Sequence, residues 1–156
     1  PPGSMTMPGS VRRKDFRFFH ALRVRWAEVD PQNVVFNANY YVYFDVAITE
    51  YWRAIGLRYP ADLIEKGSDL YAVRSGAQFH APAHYDDVID IGCRAARIGR
   101  SSLAFSLGIW RGAQCLTSGE LVYVNANPAT SKPAALPGFV VDKILKFESV
   151  APDTGH

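Results

Sequence analysis

The chain predicts an α+β domain: an antiparallel β-sheet wrapped around one long central helix. Three observations carry this. A period-two segment stops at Asp30-Pro31, one long apolar segment follows, and four more alternating segments fill the second half of the chain. Antiparallel strands plus one buried helix are satisfied economically by a two-layer arrangement.

The first strand is expected from Phe16 to Trp26. Phe16, Phe18, Leu22, Val24 and Trp26 point one way, with His20 among them, and Arg17, Arg23 and Arg25 point the other. Alternation of this kind marks a half-buried strand. Proline fixes its own φ and pushes Asp30 toward an extended conformation, so the strand ends there. Gln32 to Asn37 is then a loop.

The helix is expected from Ala38 to Ile55, about five turns at ~3.6 residues per turn. Asn37 suits its N-cap and Gly56 its C′ position. Asp45, Thr49 and Arg53 fall on one stripe, with Glu50 beside Arg53, and nearly everything else is apolar. Such a helix is expected to be surrounded on most sides. The strands to follow are Leu70 to His80, Asp87 to Arg97, Ser102 to Trp110 and Gln114 to Asn125. The connectors "IGRSS" and "RGAQ" are short and contain Gly, as hairpins require. "NPATSKPAALPG" reads as a Pro-rich loop and Val140 to Phe147 as a short helix.

Composition bounds the rest. The chain has 156 residues, 48% hydrophobic and 21% charged, which fits one globular domain. Residues 1–10 are expected to be a tag remnant and disordered N-terminus, and 11–150 a single domain. A net charge of +2 does not argue for nucleic acid. No segment reads as a membrane span or signal peptide, and Cys93 and Cys115 show no metal or redox spacing. They read as buried free thiols of a cytoplasmic protein. His20, His80 and His84 lack metal-ligand spacing, so no metal is expected.

One chemical question stands out: a carboxylate, Asp30, sits at the break just before the greasiest helix. It is either a turn starter, as Asp often is, or a reactive group. A helix N-terminus presents free N–H groups and about half a positive charge, which can polarise a carbonyl. An acid beside it can attack that carbonyl or activate water.

The stretch "VRWAEVDPQNVVFNANYYVYFD" resembles the signature of 4-hydroxybenzoyl-CoA thioesterase-like proteins, which have the hotdog fold. "FHAPAHYDDVIDI" resembles that family's entry into its third strand. The resemblance implies a thioesterase that hydrolyses an acyl-CoA or aroyl-CoA, with Asp30 as nucleophile or general base. The backbone N–H near Asn37 would polarise the thioester carbonyl, and Phe36 and Tyr40 would shape the acyl pocket. Arg97, Arg100 and Ser101 would meet the phosphates of coenzyme A, which enters as part of the substrate; no separate cofactor is implied. Family members are dimers or larger, with the site at a subunit interface, so the resemblance implies a homodimer or homotetramer. Two departures stand out: Asn33 replaces the usual Gly, and Asn37 stands where many members carry His. Two alternatives remain open: a non-catalytic hotdog protein that binds acyl-CoA or a partner, and a thioesterase acting on acyl-carrier-protein thioesters. A dehydratase is disfavoured because the motif region has no His. Asp86-Asp87 reads as structural at a strand entry, and Asp45 as part of a polar stripe.

Overall fold

The computed structural model describes residues 11–155; the expectations for 1–10 lie outside them. Five strands make an antiparallel sheet in the order β1-β3-β4-β5-β2: β1 Phe18–Arg23, β2 Asp69–Phe79, β3 Val88–Ile98, β4 Ser102–Arg111 and β5 Gln114–Asn127. A two-residue β6, Lys132–Pro133, pairs with the end of β5 inside the Pro-rich segment. The helices are α1 Asn37–Ala54, α2 Ala61–Ile64 and α3 Gly138–Phe147.

Alternation along each strand decides which side meets α1. On β4, Leu103, Phe105, Leu107 and Ile109 are fully buried beneath the helix, and Ser102, Ala104, Ser106 and Gly108 form the outer face. On β3, Ile89, Ile91, Cys93 and Ala95 do the same inward work. α1 answers with Tyr40, Tyr43, Phe44, Ala47, Ile48, Tyr51 and Trp52, a stripe at helical spacing. Gly119 on β5 sets how closely the layers approach. A Cβ there would lie 2.6 Å from the Phe44 ring and 2.8 Å from the Gly76 carbonyl oxygen, so only hydrogen fits.

Several expectations need correction. The first strand is shorter than read, because Trp26–Glu28 forms a 3₁₀ turn. That turn breaks the alternation and leaves Trp26 70% exposed, edge-on to Tyr85 rather than in the core. α1 begins one residue earlier than expected. Phe36 holds the N-cap position, with no side-chain cap, and Asn37 is the first helical residue. The helix is not surrounded: Tyr41 and Val42 face outward with Asp45, Thr49 and Arg53. Cys93 is buried and Cys115 half-buried, both as free thiols. Among the described residues no helix is long and apolar enough to cross a membrane.

Candidate functional site

The N-terminus of α1 is assembled by two short pieces of chain. The first is the Asp30 loop. Asp30 Oδ1 accepts N–H bonds from Gln32 (2.8 Å) and Val34 (3.4 Å), and the Asp30 N–H returns to the Val34 carbonyl at 2.9 Å. Asn33 closes the turn at φ 63°, the left-handed region that Asn tolerates where Gly is usual. A bridge between Val29 and Val35 then sends the chain into the helix.

The second piece is the segment after β2. The Val35 N–H donates to the Ala83 carbonyl at 2.9 Å, and the Ala83 N–H donates to the Tyr40 hydroxyl at 3.0 Å. Burial pushes the Tyr40 phenol up, opposed in part by the Ala83 N–H bond to its oxygen. The segment is itself pinned by Asp87, which accepts from the His84 N–H at 2.8 Å and from Arg111 at 2.7 Å. Asp86 pairs with Arg23 at 3.2 Å. Both acids therefore serve the strand entry.

Between these pieces lies a cavity of about 220 Å³, lined among others by Val34, Asn37, Tyr40, Phe79 and His80. Phe36 takes its N–H to the Glu28 carbonyl at 3.0 Å, and the Asn39 N–H turns back to Phe36 at 2.8 Å. The N–H groups of Asn37 and Ala38 meet no acceptor among the described residues. Asn37 lines the cavity, and free donors at the positive end of a long helix can accept the negative charge of an oxyanion.

Of the sequence-predicted residues, Asn37 and Tyr40 reach this cavity. Tyr40 is buried, with Phe79 packed 5.1 Å from its ring. Asp30 does not line the cavity, although it is one hydrogen bond from Val34, which does. Phe36 is 57% exposed and points away from the core. Arg100 and Ser101 sit on the β3–β4 hairpin, where their carbonyls accept the N–H groups of Leu136 and Asn125. Arg97 stands apart from them on β3, along the outer face.

Reading the sequence missed the group that holds the loop to the helix. Glu28 is 7% exposed, and its carboxylate accepts the Arg25 N–H (2.8 Å), the Arg25 guanidinium (2.6 Å) and the Tyr43 hydroxyl (3.0 Å). Burial opposes its ionisation, but these bonds outweigh burial and hold the carboxyl below its usual range. Its carbonyl also receives the Asn39 amide at 2.9 Å. The signal was an Arg and a Glu three apart, hidden because a strand was expected there. His80 was also passed over. It lines the cavity and bonds the Ser118 hydroxyl at 2.9 Å. Among the described residues no group of three His, Cys, Asp or Glu is placed to hold a metal ion.

Comparison with known proteins gives this geometry a family context. The sequence pattern of the Thioesterase superfamily matches residues 32–117, beginning just after Asp30. The acyl-CoA thioester hydrolase YbgC of Escherichia coli O6:H1 is 29% identical over 122 residues, covering 77% of this chain and 90% of the relative. A thioesterase from Thermus thermophilus, solved with coenzyme A and Zn, superposes with a TM-score of 0.75 at 25% identity, covering 88% of this chain and 98% of that one. A 1,4-dihydroxy-2-naphthoyl-CoA thioesterase from Synechocystis shares the fold, with a TM-score of 0.75 at 22% identity over 81% of this chain and 94% of that one.

Proposed function

The chain belongs to the Thioesterase superfamily, and from that premise we propose that it hydrolyses an acyl-CoA or aroyl-CoA thioester at the N-terminus of α1. The observation that carries this is the free N–H of Asn37, the first residue of α1, on the wall of a cavity also lined by Tyr40 and Phe79, with the Ala38 N–H free beside it in the first turn. The thioester carbonyl oxygen accepts from these donors, and the helix dipole stabilises the negative charge that builds on it. Asp30 supplies the nucleophile or activates water. Asn37 contributes through its backbone, because its amide side chain cannot exchange a proton near neutral pH. The aromatic wall suits an aromatic or medium-chain acyl group. Arg97, Arg100 and Ser101 remain the groups read for the phosphates of coenzyme A, and an acyl carrier protein is a second candidate carrier.

A second copy of the chain is part of this reading. β2 is a sheet edge of eleven residues with Tyr71, Val73 and Phe79 exposed along it. A long apolar edge of this kind invites pairing with another strand. Phe79 also walls the cavity, so a dimer through β2 would complete the site.

One observation favours the non-catalytic alternative: Oδ1 of Asp30 is occupied by its own loop and the residue lies outside the cavity wall. The discriminating experiment is thiol release from a panel of aromatic, short and long acyl-CoAs, with wild type beside Asp30→Asn and a thermal melt of each. Loss of about 10²-fold or more in a folded variant supports the acid's role, as expected for a nucleophile or general base. Thioesters that raise the melting temperature without releasing thiol would make the protein a binder.

A further inference from the structure

The far end of α1 opens on a second cleft, of about 500 Å³, between the end of that helix and α3. α1 has 18 residues, which at ~1.5 Å of rise each puts this cleft about 27 Å from the cavity at Asn37. The two share no lining residue.

The sequence of α3 sets one wall. Val140 and Ile144, four residues apart, are fully buried and dock the helix. Phe139, Lys143, Lys146 and Phe147 recur at helical spacing on the neighbouring stripe and line the cleft. Ala54 and Ile55 face them from the end of α1, and Arg17 enters from the chain before β1. Ile55, Phe139 and Phe147 are half-buried, so the floor is apolar and still open to water.

Three cations surround this floor, and part of their charge is used locally. Arg17 donates to the Phe147 carbonyl at 2.6 Å and lies 4.5 Å over its ring, at the end of α3. Lys143 Nζ lies 3.7 Å from where a Cβ would stand at Gly56, just past the end of α1. A helix end carries about half a negative charge. Asp142 is the acid that lines the cleft. Two more acids stand outside it. Asp62 takes the backbone N–H and the guanidinium of Arg58, with Lys143 a more distant partner. Burial opposes the charge of Glu148, which accepts from Tyr51 and Ala95 and feels both Arg94 and Arg17. Among the described residues, Arg17, Lys143 and Lys146 have no carboxylate within ion-pair distance. Three positive charges, set against Asp142 and two half-charged helix ends, leave about one positive charge in the cleft.

We propose that this cleft binds a carboxylic acid with an alkyl chain, its carboxylate at Lys143 and Lys146 and its chain along Ile55, Phe139 and Phe147. One uncancelled positive charge matches a monoanion, whereas a phosphate monoester carries about 1.5 to 2 negative charges near neutral pH. The apolar floor gains from each methylene that leaves water. Arg17 and Lys146 are exposed while the apolar groups lie deeper, which suits a single dissolved amphiphile better than the plane of a membrane. The inference rests on the thioesterase reading in one respect: a carboxylic acid is what thioester hydrolysis releases, so the far end of α1 would register the product of its near end.

Calorimetric titration with decanoate, decanol, decylammonium and acetate tests this without turnover. Decanoate should bind about tenfold or more tightly than decanol, as for one charge-assisted bond, and both decylammonium and acetate more weakly than decanoate. Lys143→Gln with Lys146→Gln should abolish the preference for decanoate over decanol. Ala54→Glu should weaken decanoate with both lysines in place, because Ala54 is exposed on the cleft wall and an acid there repels the carboxylate. Equal affinity of wild type for decanoate and decanol, or unchanged decanoate affinity in the double lysine variant, would overturn the site. Co-sedimentation with anionic phospholipid vesicles in the absence of decanoate binding would also overturn it, and would make this surface a membrane contact. Lysine-dependent decanoate binding by a protein that releases no thiol from acyl-CoAs would leave the site standing and sink the thioesterase reading. Thiol release without lysine-dependent decanoate binding would do the reverse.

Discussion

Removing the Tyr43 hydroxyl tests whether Glu28 truly ties the Asp30 loop to α1. In Tyr43→Phe the ring stays in place, its edge-on contact with Tyr40 persists, and only the 3.0 Å bond to the Glu28 carboxylate is lost. A hydrogen bond to a buried charged group contributes about 1.5–3 kcal/mol. For a chain of this size each kcal/mol moves the midpoint by about 2–4 °C, so the melt should fall by about 3–12 °C. The same bond raises the Tyr43 phenol above its ordinary range, after burial, so the phenol stays a donor at neutral pH. Glu28→Gln should cost at least as much, since it also weakens the Arg25 bonds. The two changes share one interaction, so the double variant should lose less than the sum of the singles. The carboxyl of Glu28 is held below its ordinary value of 4.5. Its stabilisation is therefore present above that pH and is lost as pH falls through the folded value. Chemical denaturation of the four proteins at neutral and acid pH measures all of this. Additive costs, or a Tyr43→Phe midpoint within a degree of wild type, would refute the anchor.

Other consequences are separate. Gly119→Ala should destabilise by about 1–3 kcal/mol, read as a shift in denaturant midpoint, because its methyl would press on Phe44 and the Gly76 carbonyl. Burial raises the carboxyl of Glu148 above its ordinary 4.5, although Tyr51 (2.6 Å) and the Ala95 N–H (2.9 Å) donate to it. A raised carboxyl contributes most below its unfolded value and loses that contribution as pH rises through the folded one. Wild type should therefore lose stability over that range, and Glu148→Gln should flatten the loss. Burial also raises the Cys93 thiol well above its usual range, so the folded protein should expose at most Cys115 to a thiol reagent, with Cys93 reacting only on unfolding.

The strands of the second half were legible because burial on one side of a sheet imposes period two, and β4 shows it without a break. The boundaries of α1 were legible to within a residue, since Pro31 and Gly56 bracket one apolar run. Trp26 was misread because the residue pattern keeps alternating through Trp26 although the backbone leaves the strand there for a 3₁₀ turn. Asn37 was misassigned as the cap because propensity favours Asn there, whereas the chain direction is fixed by Val35 pairing with Ala83.

The sequence by itself determined the class of fold and the neighbourhood of the site, because periodicity, Pro, Gly and a run of motif residues act over a few positions. Only the tertiary structure decided what faces the site. Glu28 meets Tyr43 fifteen residues on, and His80 reaches the start of α1 from the far end of β2. Arg17 meets Phe147, 130 residues on, and shares a second cleft with Lys143 and Lys146. These are matters of register and three-dimensional packing, set by long-range pairings that spacing along the chain does not encode.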